Sequence, residues 1–489
     1  MKKLKIFCSL FVCAALGLSV LGGCTDPLPK EEETPTGGST LVDYEQYKDE
    51  YYIDIAAWGF PTLETDANGS YDTEKNNALV QDMVNAGFTS VNHAGLSNVR
   101  PNRHGTAEEV TEIIKERIAL FEQNGLQSNV YCSNYTNGGN SGTGASWWDF
   151  DVLGMPDFSE SAGFRGLLVW DEPYPGVMEK LAGYARTFNE LYAGTDAIFM
   201  VNLYPSYASL FTTGGYGDYL ESYCDTVLSA VEGTKYISVD SYAIRADKQL
   251  ETYLLYDIAM VKKYADEYGA YSHMALQSSM TSTKDRIPEL GEYAVQAYAA
   301  LAFGIDSLSW YTYITPEEEP YVSQDREDGI ASAPVNEDGT KNDAYYSLQK
   351  VNTDIAAFGY AYKCFDWKGI MMNPVTQLTA MNRILRDREL IDLVYYPDDT
   401  KSVVSAESEQ DFLMGVMEDE KGNEGFLLVN YCSLADAADA VVELEFRDAD
   451  TLLIWRDGKK ETLPLEDGRI TLTLSQGQGA FMVPYKAEA

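Results

Sequence analysis

The stretch GLLVWDEPYPG at positions 166–176 closes an apolar run, Gly166 to Trp170, with two carboxylic acids, Asp171 and Glu172, and then a proline. Charge is costly at the mouth of a hydrophobic strand, so the pair is either a solvated turn or is held there for proton transfer. Adjacent acids in an apolar setting raise each other's proton affinity, which a general acid working near neutral pH requires. A third acid, Asp240, ends another run, YISVDSYAI. It is read as the partner carboxylate; capping the next helix or pairing with Arg245 are its ordinary alternatives. Comparable runs end in Trp58, His93, Asn134, Asn202, Tyr204, Tyr242, Gln277, Trp310 and Tyr311. Rings that stack on C–H faces, interleaved with amides and carboxylates that bond hydroxyls, are what a sugar needs. With one histidine, no cysteine pair and no glycine-rich phosphate cradle in this set, neither a metal nor another cofactor is expected.

The elements that would carry these residues recur with one rhythm. Short β-rich runs at 51–61, 88–95, 126–134, 166–173, 197–207, 236–244, 271–280 and 307–315 alternate with helix-period segments such as TAEEVTEIIKERIALFEQNG. Several of those segments end in glycine, as helix C-termini do. Eight strand–helix units predict an α/β fold, a (β/α)₈ TIM barrel over 45–364, whose chemistry collects at the C-terminal ends of its strands. A doubly wound sheet would carry a phosphate turn after its first strand, and WGFPTLETDANGS supplies none. From 365 to 489 the runs shorten and alternate (FLMGVME, GFLLVNY, DAVVELEF), with DGK and EDG as hairpin turns, which predicts a small antiparallel β-sandwich.

Residues 1–23 read as a signal peptide: lysines after Met1, a short apolar core, then small residues. Leu21-Gly22-Gly23-Cys24 resembles the lipobox of bacterial lipoproteins, which implies lipid on Cys24 and anchoring at the cell surface or in the periplasm. Residues 24–44, rich in Pro, Glu, Thr and Gly, read as a tether. With 36 basic against 76 acidic residues the net charge is −40, which excludes nucleic acid and leaves the lipid as the expected membrane contact. Cys132, Cys224, Cys364 and Cys432 are widely spaced and read as small buried groups.

WDEP at 170–173 resembles the N-E-P motif of clan A retaining glycoside hydrolases, in which the Glu is the acid/base and the residue before it contacts the sugar 2-hydroxyl. VDSY is similar to the D-x-Y stretches of related barrel glycosidases, and QAYAALAFGIDSLSWYTY resembles their last helix and strand. The resemblance implies an extracellular glycoside hydrolase with Glu172 as general acid/base and a carbohydrate as its partner. It breaks at strand seven, where that clan carries a nucleophilic Glu and this chain has Gln277 in HMALQSS. Three readings follow. Asp240 supplies the second carboxylate, the preferred one; or Asp171 orients a substrate acetamido group, as the Asp-Glu pair of barrel β-hexosaminidases does; or a loop acid among Glu317, Glu318 and Glu319 folds over the mouth. Loss of the strand-seven acid also leaves open a catalytically inactive, glycan-binding lipoprotein. Trp147 and Trp148, in a loop rich in Gly and Ser, are expected to form an exposed platform.

Overall fold

The computed structural model describes residues 41–60, 72–92, 105–132, 148–211, 215–280, 285–315, 333–336, 338–435 and 437–487. Eight parallel strands close into a barrel in chain order: β1 (Asp54–Trp58), β2 (Ser90–Asn92), β3 (Gln127–Tyr131), β4 (Phe164–Asp171), β5 (Ile198–Leu203), β6 (Tyr236–Ser241), β7 (Tyr271–Gln277) and β8 (Ser307–Tyr311). Around it run α1 (Thr73–Asn85), α2 (Ala107–Gln123), the short α3 (Phe150–Leu153), α4 (Met178–Leu191), α5 (Tyr216–Thr226), α6 (Tyr253–Tyr268), α7 (Leu290–Ala302) and α8 (Asp343–Tyr362). The expected TIM barrel is thus present. Local sequence sets the helix ends: Thr106 and Glu109 form a reciprocal capping box at the start of α2, and Gly269, at φ +63°, stops α6.

The lower end of the barrel is filled by a polar plug. Asp54 pairs with Arg165 and accepts hydrogen bonds from Thr89 Oγ1 (2.6 Å) and Ser90 Oγ (2.8 Å). His273 is bonded through Nδ1 to Tyr236 Oη and Ser307 Oγ, and through Nε2 to Ser309 Oγ, each at 2.9 Å. The plug seals the base and leaves the opposite end for chemistry.

Beyond the barrel, β9 (Phe365–Asn373), α9 (Leu378–Leu385), β10 (Val403–Glu407), β11 (Phe412–Asp419), β12 (Glu424–Asn430), β13 (Ala440–Phe446), β14 (Thr451–Arg456), β15 (Lys459–Pro464), β16 (Arg469–Leu474) and β17 (Gly479–Tyr485) build two antiparallel sheets. Their orders are β15-β14-β17-β12-β11-β9 and β10-β13-β16, the expected sandwich. Asp457-Gly458 joins β14 to β15 with both residues at positive φ (51° and 71°), the backbone that a two-residue hairpin demands. Strand alternation divides the larger sheet between two cores. Phe412, Met414 and Val416 of β11 point into the sandwich, whereas Leu413 and Met417 join the core that fills the barrel's outer layer. Gly415 lies on that second face, where a Cβ would stand 2.2 Å from the Ala302 carbonyl oxygen at the end of α7. Only glycine lets the sheet settle so closely on the barrel helix.

The chain reaches β1 through a 3₁₀ turn, Tyr44–Tyr47, pinned to the sheets. Tyr44 Oη donates to Asp419 (2.9 Å), while Glu45 accepts from Lys460 Nζ (2.7 Å) and from Tyr360 Oη (2.6 Å) near the end of α8.

Candidate active site

At the upper end of β4, Glu172 donates its backbone N–H to the Asn202 carbonyl (2.8 Å), extending the ladder to β5 by one residue. It then takes φ +51°, a left-handed conformation that costs a side-chain-bearing residue energy and persists where neighbours enforce it. The enforcement is visible: Tyr219 of α5 donates its hydroxyl to the Pro173 carbonyl (2.9 Å) and accepts the Tyr204 N–H (3.4 Å). Together these contacts fix the turn that aims Glu172.

Asn202, on β5, is the hub of the mouth. Its Nδ2 donates to Asp171 Oδ1 (3.0 Å) and to Asp240 Oδ1 (3.1 Å), and its Oδ1 accepts from Ser238 Oγ (2.9 Å). Acids from β4 and β6 are thereby brought to one amide. Arg245, the alternative partner of Asp240, bonds Glu251 and Asp285 instead. Burial, and next to it the negative charge of Asp171, push the Glu172 carboxyl up to about 8. Burial, followed by the charges of Glu172 and Asp171, pushes Asp240 well above the usual carboxylate range. Acids set apart in this way lose their protons in separate steps, so an intermediate state holds one donor beside one anion.

An aromatic wall stands beside these acids. Trp58 meets Tyr131 edge-on at 6.3 Å and Tyr311 at 5.7 Å, and Tyr311 stacks on Tyr242 at 5.2 Å. Tyr204 lies edge-on to Tyr174 at 5.8 Å. Tyr207, packed at 4.1 Å on Tyr253, accepts the Tyr242 N–H through its hydroxyl (3.3 Å). Trp58, Asp171, Glu172, Asn202, Tyr204, Asp240, Tyr242 and Tyr311 therefore gather at one end of the barrel. His93, Asn134, Trp147, Glu317, Glu318, Glu319 and Cys24 fall outside the described residues.

Three expectations are corrected. Gln277 is fully buried and spent on the backbone: its Oε1 accepts from Ile244 N (2.8 Å), and its Nε2 donates to the carbonyls of Ile244, Ser279 and Arg286. It ties the loops after β6 and β7 together and has no group left for a hydroxyl. Trp310 faces away from the mouth, with its ring edge-on to Tyr293 and its Nε1 bonded to Asn352 Oδ1 (2.9 Å), because its neighbour Tyr311 takes the inward position. Trp148 is buried, with Nε1 donating to the Gly154 carbonyl (2.7 Å), and is no exposed platform.

The sequence reading passed over Tyr131, Tyr207, Tyr219 and Asp257. Asp257 had a signal of its own, a lone acid within the apolar helical run YLLYDIAMV.

No family model matches the chain, and no curated protein matches it. It is similar to the solved beta-galactosidase of the Antarctic haloarchaeon Halorubrum lacusprofundi, with a TM-score of 0.46 and 10% identity over 89% of this chain and 99% of that one. The endo-beta-1,4-mannanase of Thermotoga petrophila gives 0.38 and 8%, over 89% and 95%. The beta-galactosidase of the psychrophilic Marinomonas ef1 gives 0.43 and 10% over 64% of this chain, which spans only 60% of that protein. Likenesses this distant carry no chemistry across, and the case rests on the residues of the mouth.

Proposed function

We propose that the protein is a glycoside hydrolase in which Glu172 protonates the leaving glycosidic oxygen and Asp240 is the second carboxylate. The observation that carries this reading is the convergence of Asp171 and Asp240 on the Asn202 amide, directly beside a half-buried Glu172 whose proton affinity is raised. As the C–O bond breaks, the Glu172 proton passes to the departing oxygen. The Asp240 carboxylate then either bonds the anomeric carbon or takes a proton from the water that does. Carboxyl separations of about 5–5.5 Å give retention and about 6.5–9.5 Å give inversion. The aromatic wall supports a carbohydrate substrate through stacking on sugar C–H faces.

A second reading is favoured by one observation, the complete burial of Asp240. A carboxyl that holds its proton is a poor nucleophile. A 2-acetamido oxygen of the substrate could attack in its place, with Asp171 accepting the amide N–H. Turnover of a panel of aryl hexosides and aryl 2-acetamido-2-deoxyhexosides by wild type and Glu172→Gln separates the readings. Activity on hexosides, lost in the variant, supports Asp240; activity confined to acetamido sugars supports Asp171. Binding of glycans without turnover would mark a catalytically silent glycan-binding protein. The N-terminal motif supports display on a bacterial membrane through a lipid on Cys24, which mass spectrometry of the processed N-terminus tests.

A further inference from the structure

Asp257, on α6, lies outside the mouth and touches none of the residues given a chemical role above. Its side chain is fully buried in the middle of an apolar helix face, and uncharged donors engage both of its oxygens. Oδ1 accepts the backbone N–H of Ser206 (3.0 Å), in the loop that leaves β5 carrying Tyr204 and Tyr207. Oδ2 accepts the hydroxyl of Ser241 (2.9 Å), the residue after Asp240 at the end of β6. The same loop is tied a second time to the same strand end, by Tyr207 Oη and the Tyr242 N–H. A buried acid costs stability even with the Arg383 charge acting on it, and an apolar residue of similar shape would serve the helix better. Asp257 nonetheless holds both mouth segments against α6, beside Tyr253 of the same helix, which packs on Tyr207 and donates its hydroxyl to the Tyr242 carbonyl (2.6 Å).

We infer that Asp257 is a positioning residue: by clamping Ser206 and Ser241 to α6, it fixes where Asp240 stands relative to the aromatic wall of Tyr204 and Tyr207. The inference rests on the hydrolase reading for its catalytic consequence, though not for the clamp itself. What matters in the clamp is two hydrogen bonds and not charge. Asparagine can keep both, since the Ser241 hydroxyl can turn to accept from an amide, whereas leucine keeps neither.

Asp257→Leu, Asp257→Asn and Ser241→Ala test this by amide hydrogen exchange, read by mass spectrometry, and by turnover of the best aryl glycoside. In Asp257→Leu, exchange is expected to rise roughly tenfold in segments 203–207 and 240–244 while β1–β3 stay as in wild type. Its kcat should fall roughly 10- to 100-fold with KM changed less than about threefold. Asp257→Asn should restore kcat to within about threefold of wild type and return both segments to slow exchange. Ser241→Ala, the milder change should the leucine variant not fold, should loosen 240–244 alone. Unchanged exchange at both segments in Asp257→Leu, or loosening spread evenly through the barrel, would overturn the clamp. Equal losses of kcat in the leucine and asparagine variants would overturn it too, since charge would then be the cause. A wild type without turnover would defeat the hydrolase reading, and the exchange measurements would still decide Asp257.

Discussion

The barrel buries a carboxylate at each end, and the two are treated in opposite ways. At the base, burial alone would push Asp54 up, but Arg165 and the hydroxyls of Thr89 and Ser90 outweigh it and hold the carboxyl below its usual range. At the mouth the balance tips the other way: burial and the charges of Glu172 and Asp171 outweigh the hydrogen bonding that would lower Asp240. His273, deep in the base, is driven down to about 3 by its burial, with the nearby Asp54 charge opposing, and stays neutral among hydroxyl partners. Burial sets the stakes; the neighbours set the sign. The base is built for persistence, the mouth for holding a transferable proton at a cost in stability.

Substitutions that exchange these characters give the sharpest tests. The largest effect is expected from Glu172→Gln, which should lower kcat on unactivated glycosides by roughly 10³- to 10⁴-fold while leaving the fold intact. Asp240→Asn should cost roughly 10³-fold if Asp240 is nucleophile or base, and tenfold or less if it only contacts substrate. At the other end, Asp54→Asn leaves Arg165 buried without its counter-charge. It should destabilise the protein by about 3–5 kcal/mol in denaturant titrations, with turnover per folded molecule unchanged.

The pH dependence should split in the same way. A carboxyl raised to about 8, as Glu172 is, contributes least to stability in its ionised form. Wild type should therefore lose stability as pH rises from the ordinary glutamate range toward 8, and lose activity as pH passes through about 8 and the proton leaves. Glu172→Gln should remove that slope and raise Tm more at pH 8 than at pH 5. The base has the reverse sign. The lowered Asp54 and His273 contribute stability above their unfolded-state values and lose it on acidification, so Asp54→Asn should flatten the acid side. The smallest effect is expected from Gln277→Glu. A carboxylate there would face three backbone carbonyls, lowering Tm by a few degrees and restoring no activity, as melting curves and turnover would register.

Much of this was legible in the sequence, and the errors share a cause. Eight alternations of strand and helix specify a barrel, and the mouth follows from the strand ends, so the pattern alone places Glu172, Asp171, Asn202 and Asp240 together. What a run such as SLSWYTY does not reveal is which parity faces inward. Its strand is covered on both sides, so Trp310 and Tyr311 are equally apolar candidates for the mouth. Gln277 was misread for a different reason: it occupies the right strand end, but the loops after β6 and β7 need its amide more than a ligand would. Tyr219 and Asp257 were missed because they act from helices, one turn of packing behind the strands that the sequence pattern points to.

One last consequence comes from the 3₁₀ turn at Tyr44–Tyr47 and its tie to Lys460 and Asp419. Because β1 begins at the plugged end, residues 44–53 enter the barrel from its underside, away from the acids. Disturbing this turn should therefore unsettle the seam between barrel and sheets and leave the arrangement of the acids as it is.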